Sequence, residues 1–177
     1  MSSSNAKLSA DDRLDIMELF AKYAWAINFG DDEGVLQCFA EDALLDRLWQ
    51  CKMAGHEKIR RAFEELWYAR PSWWIGRQYL ANHFFMEPEG EGARVKAFFS
   101  ILQYNVEYRT NFVFGVGTSD NFCTKRNGKW VFQSLKVNAW MDRNTVLWVG
   151  DSRATTAGPK VAATASPANT AQAPTRT

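Results

Sequence analysis

From Ser9 onward the chain switches between two rhythms of apolar and polar residues. In "DDRLDIMELFAKYAWAINFG" the apolar side chains Ile16, Leu19, Phe20, Tyr23 and Ile27 recur at helical spacing on one stripe. Ser9 is placed to cap this helix, Asp11 and Asp12 suit the positive end of its dipole, and Asn28-Phe29-Gly30 reads as its stop. "DDEGVLQCF" makes a short second helix. "EDALLDRLW" reads as the first strand, where period-two alternation gives Leu45, Arg47 and Trp49 one face and Asp46 the other. "GHEKIRRAFEELWYAR" returns to the helical period with Ile59, Ala62, Phe63, Leu66 and Trp67 aligned, and Pro71 ends it.

The remainder is strand-like: "GRQYLANHFFMEP", a turn at "EGEG", "ARVKAFFSILQYNVEY", "TNFVFGVGTSDNFCTK" and "WVFQSLKVNAWM". The last two are joined by "RNGK", whose Asn-Gly pair is a strong hairpin signal. Helices first and hairpin-linked strands afterwards predict an α+β fold on a largely antiparallel sheet, not a doubly wound parallel one. Residues 1–8 are polar and read as a frayed start, 9–151 as one domain, and 152–177 as a disordered tail of small residues, Pro and Thr.

Composition narrows the function classes. Lys plus Arg number 21 against 20 acidic residues, too even a balance for nucleic acid or an anionic membrane as the main partner. Aromatic residues make up 14% of the chain, a surplus that either fills a core or lines an apolar ligand pocket. No basic-then-apolar leader opens the sequence and no apolar run is long enough to span a bilayer. Cys38, Cys51 and Cys123 are widely spaced and read as free thiols of a reducing cytoplasm. His56 and His83 are the two histidines, so no imidazole or thiolate metal centre is expected.

The helix "IMELFAKYAWAINFGD", the stretch "FAEDALL", the helix "AGHEKIRRAF", "LANHFF...ARVKAFF" and the closing "RNGKWVFQSLKV" together resemble the SnoaL-like branch of the nuclear-transport-factor-two-like superfamily. The likeness spans roughly Asp11 to Met141. It implies a curved sheet wrapped by three helices into a cone around a deep apolar pocket. Family members include scytalone dehydratase, ketosteroid isomerase, polyketide cyclases, a dehydrochlorinase and a diarylpropane lyase, mostly without metal or organic cofactor. Others are non-catalytic small subunits of ring-hydroxylating dioxygenases.

The resemblance also locates candidate residues. Where dehydratase members carry an Asp at the end of helix one and a His on a middle strand, this chain has Asn28 and Gln78. An amide has no basic lone pair usable at neutral pH, so Asp–His proton abstraction is excluded. Arg47 stands where scytalone dehydratase has a pocket tyrosine, and a cation there would suit a phenolate, enolate or departing hydroxide. Tyr104 falls near a second histidine of that enzyme, and Tyr23 lies on the inward stripe of helix one. Each of these reads either as a pocket group or as a packed residue. Leu45, Trp49, Asn82, Phe84 and Ser119 are candidate substrate contacts, with Gln78, Leu80, Asn82 and Phe84 on one face by alternation and His83 opposite. Trp73 and Trp74 would floor or lid the pocket, or bury an interface, and His56 reads as a surface group near a helix start.

These expectations combine into a cofactor-independent lyase or dehydratase acting on a hydrophobic phenolic molecule. A lignin-derived diarylpropane that loses a benzylic hydroxyl through a quinone-methide-like intermediate is the specific candidate. The alternatives are a dioxygenase small subunit and a ligand-binding module without turnover. A homodimer or homotrimer is expected in any case, since the outer sheet face of this fold is usually covered by a partner copy.

Overall fold

The capping signal at Ser9 is used in full. In the computed structural model, which describes residues 7–46, 52–68, 76–105 and 107–140, helix α1 (Ala10–Phe29) begins on a reciprocal capping box. Asp12 N–H donates to Ser9 Oγ (3.0 Å), and Ser9 N–H donates back to Asp12 Oδ2 (3.3 Å). Asp12 does more than cap. Its Oδ1 also accepts from Lys125 Nζ (2.6 Å) and Trp130 Nε1 (3.1 Å), pinning the start of α1 to the far end of the sheet. The Lys125 ammonium and the Ser9 donors hold the Asp12 carboxyl well below the usual carboxylate range.

Helix α1 stops at Gly30, in the left-handed conformation, and Asp31 caps helix α2 (Asp32–Gln37). Helix α3 (His56–Tyr68) follows strand β1 (Phe39–Asp46) and a two-residue strand β2 (Met53–Ala54) that the residue pattern did not announce. Strand β1 starts two residues earlier than expected, because Phe39 already pairs with Phe132 of the last strand. Three ties fix α3. Arg60 bonds Asp32 and Glu33 of α2, Trp67 Nε1 donates to Ile27 O (2.9 Å), and His56 Nε2 donates to Phe39 O (2.9 Å). The reading of His56 as a surface group is therefore corrected: it is half-buried and joins α3 to β1.

The sheet has six strands in the order β2-β1-β6-β5-β4-β3, with β3 (Gln78–Glu89), β4 (Gly92–Asn105), β5 (Thr110–Arg126) and β6 (Lys129–Ala139) forming an antiparallel meander. Strand β1 extends it by pairing parallel to β6, with β2 antiparallel beyond it, so the sheet is mixed. This is the α+β architecture the element order predicts, a curved open sheet carrying three helices.

Parity along β4 separates the two faces. Ala93, Val95, Ala97, Phe99 and Gln103 are buried beneath the helices, while Arg94, Lys96 and Phe98 are exposed. The core is aromatic. Phe132 touches Phe20, Phe39 and Tyr23 at ring separations of 4.9, 5.4 and 5.7 Å, and Tyr23 continues to Phe63 and Tyr79. Cys38 and Cys123 are buried free thiols, and burial pushes both up to about 12, so they stay protonated. No helix among the described residues is long and apolar enough to cross a membrane.

Candidate functional site

Among the described residues strand β3 is an edge strand, and Pro88 within it suits a position where one flank has no ladder to complete. The end of α1 lies along that open edge. Asn28 Oδ1 accepts the backbone N–H of Tyr79 (2.8 Å), so the amide fills a donor that the missing neighbour strand leaves open. The residue that the resemblance sets in place of a catalytic Asp thus holds the sheet edge to the helix. A backbone N–H can be accepted only by the amide oxygen, which fixes the orientation of Asn28 and leaves Nδ2 as its donor branch.

Between α1 and this edge runs a groove of about 780 Å³. Its walls are apolar: Met17, Phe20, Trp25 and Phe29 from α1, Leu80 and Phe84 from β3. Trp25 and Phe29 stack at 5.3 Å and are 68% and 74% exposed, so two aromatic rings stand on the rim instead of in the core. Among the described residues the polar lining is Asn28, Arg77, Gln78 and Tyr79, of which Arg77 is the charged one. Because the groove follows an edge, it draws on residues of both faces of β3.

The cation of the groove is Arg77, which no motif in the sequence marks. Its Nε donates to Gln103 Oε1 (2.9 Å), and its guanidinium lies 4.0 Å above the Phe114 ring. Gln103 is fully buried and also donates to Tyr104 O (3.1 Å). The signal for Gln103 was present in the sequence. Extending the inward parity of Ala93, Val95, Ala97 and Phe99 by four residues reaches Gln103, not Tyr104.

The candidates separate as follows. Asn28, Gln78 and Phe84 line the groove together. Tyr23 is buried in the aromatic core, 5.8 Å from the Tyr79 ring, and Leu45 is fully buried. Ser119 is buried under the helices and accepts from Asn121 Nδ2 (2.9 Å), away from the groove. Tyr104 takes the outward parity of β4, with Leu102 and Gln78, and does not line the groove. Arg47, Trp49, Cys51, Trp73, Trp74 and the 152–177 tail lie outside the described residues, as do the first six residues of the frayed start.

One shared face of β3 is corrected. Gln78, Leu80 and Asn82 do point outward together, opposite Leu102, Ser100 and Phe98. Phe84 does not, because the register shifts between Asn82 and Phe85 and His83 takes φ 53°. That irregularity turns Phe84 inward onto Phe20 at 4.9 Å. Asn82 is exposed and accepts from His83 Nδ1 (2.7 Å), so neither residue reaches the groove.

The SnoaL-like domain model matches residues 9–136. The chain belongs to the SnoaL-like family. That family includes polyketide cyclases and dehydratases, enzymes that often work without a cofactor. No curated protein is significantly similar to this SnoaL-like chain in sequence. Among solved structures, it is similar to a cystatin-like-fold protein of unknown function from Nostoc punctiforme, with 24% identity and a TM-score of 0.65 over 77% of this chain and 97% of that one. Two Novosphingobium aromaticivorans proteins are also similar. One, provisionally named an aromatic ring hydroxylase, has 22% identity and a TM-score of 0.64 over 76% and 92% of the two chains. The other, provisionally named a scytalone dehydratase, has 14% identity and a TM-score of 0.62 over 74% and 85%. At these identities the likeness shows the fold.

Proposed function

We propose that this SnoaL-like protein is a cofactor-independent lyase of the dehydratase type, acting on a hydrophobic phenolic molecule such as a lignin-derived diarylpropane. The observation that carries this reading is the polar lining of the groove. Asn28, Arg77 and Gln78 can donate hydrogen bonds, Tyr79 accompanies them, and among the described residues no carboxylate or imidazole joins them. Donors of this kind stabilise negative charge on oxygen.

The chemistry that fits is expulsion of a benzylic hydroxyl. The phenol gives up its proton, the benzylic C–O bond breaks, and the departing hydroxide takes up a proton to leave as water. The C–O bonding pair leaves with the hydroxide, and a lone pair of the phenolate oxygen moves through the ring to the vacated benzylic carbon, giving the quinone methide. The chain's share is to hold the phenol oxygen among donors and the rings against Phe20, Phe84 and Trp25. Arg77, stacked on Phe114 and braced by Gln103, supplies a fixed cation next to the developing charge.

The test is a matched pair of substrates, a phenolic diarylpropane with a benzylic hydroxyl and its O-methylated analogue. Mass spectrometry should show loss of water from the phenol and none from the ether, and Arg77→Gln should lower kcat at least tenfold. Equal turnover of both compounds would rule out the quinone-methide path, and turnover of neither would end the lyase reading.

Assembly is part of the proposal. Leu80, Phe98, Val113 and Val116 leave an exposed apolar surface on the outer sheet face, which suits a second copy of the chain. Light scattering at micromolar concentration should give a dimer or trimer, and Phe98→Glu should give monomer. A wild-type monomer would overturn this. A stable complex with an iron–sulfur large subunit would favour instead the dioxygenase small-subunit reading.

A further inference from the structure

We infer that Asn28 makes the groove selective for aromatic ligands bearing an oxyanion, a phenolate or a carboxylate, over neutral aromatics of the same shape. The inference rests on the groove being the small-molecule site and adds the charge of what it takes.

Three observations support it. First, the Tyr79 N–H occupies Asn28 Oδ1 at 2.8 Å, so the branch of the amide left for a ligand is the N–H donor. Second, Gln78 lies on the same edge and is exposed, adding a further donor to the lining. Third, among the described residues the charged group lining the groove is the cation Arg77, placed by Gln103 and Phe114. An apolar trough with its donors and its positive charge at one end complements a flat ring system with an anionic oxygen at its edge.

Position 28 is the point of control because its two tasks can be separated. An aspartate would accept the Tyr79 N–H as well as the amide does, since both place an oxygen at the same distance from the backbone. It would also replace the donor branch with a second acceptor carrying negative charge. Asn28→Asp therefore keeps the clasp on the sheet edge and reverses the preference of the groove.

The experiment measures binding of 2-naphthoate and 2-naphthylmethanol by calorimetry at neutral pH, to the full chain and to Asn28→Asp. The wild type should bind the carboxylate at least tenfold more tightly than the alcohol, and Asn28→Asp should cut that ratio at least tenfold. Gln78→Glu, at an exposed position, should cut the ratio several-fold and serves as the second variant if Asn28→Asp misfolds. A wild-type ratio near unity, or a ratio that neither variant moves, would overturn the charge selectivity while leaving an aromatic site intact. Binding of neither compound would overturn both the selectivity and the reading of the groove as an aromatic site.

Discussion

Phe132→Ala should cost about 3–5 kcal/mol, a large share of the roughly 5–15 kcal/mol that holds a domain of this kind together. Phe132 is fully buried, and its ring meets Phe20 edge-on, leans on Phe39 and faces Tyr23. Truncation removes the transfer free energy of a phenyl group and leaves a void among three rings carried by α1 and β1. These rings cannot close over the gap without moving α1, which is fastened at one end by Asp12 and at the other by Asn28. The aromatic pairs add about 0.5–1.5 kcal/mol each beyond area alone, so Phe132→Leu should recover only part of the loss. Urea titration followed by circular dichroism measures it. A loss under about 1 kcal/mol would mean that the aromatic core yields easily, contrary to the close packing expected of an interior.

The second large effect belongs to a residue with no side chain. A Cβ added at Gly117 would stand 2.2 Å from Asn138 O, 2.8 Å from Ala139 Cα and 2.7 Å from the Phe99 ring. Two of those atoms are backbone of the neighbouring strand, where Gly117 pairs with Ala139, so relief requires parting β5 from β6. Gly117→Ala should therefore lose about 2–3 kcal/mol or more, at the upper end of overpacking costs. Gly115, on the same strand, is the control, because a Cβ there meets nothing within 4 Å. Gly115→Ala should be neutral within about 0.5 kcal/mol, the usual range for a substitution that touches nothing. Similar melting temperatures for the two variants would contradict the close approach at Gly117.

What the sequence disclosed and what it withheld divide along physical lines. Local signals were legible: the Ser9 cap, the α1 stripe, the Asn127-Gly128 turn and the alternation along β4 each depend on residues a few positions apart. Non-local facts were not. Nothing near Phe39 announces that β1 will lie parallel to β6, and nothing in "LANHFF" announces that His83 takes a positive φ and reverses the phase of Phe84. A shift of one residue moves every later side chain to the other face, which is why the expected set on β3 came apart at that point. The candidate site shows the same division. Asn28 was legible as a departure from Asp, yet its partner, the Tyr79 backbone N–H, is visible only once the edge of the sheet is known. The family resemblance points to Tyr104, whereas simple parity along β4 points to Gln103.

The clasp between Asn28 and the edge of β3 restricts what can stand at that position. A side chain there must present an oxygen acceptor at one fixed reach, and among the amino acids only asparagine and aspartate do so. Their codons differ by a single first-position base. One point mutation therefore converts the groove between an amide donor and a carboxylate while the helix keeps its hold on the sheet. On this scaffold, a change in chemistry and the preservation of the fold lie one genetic step apart.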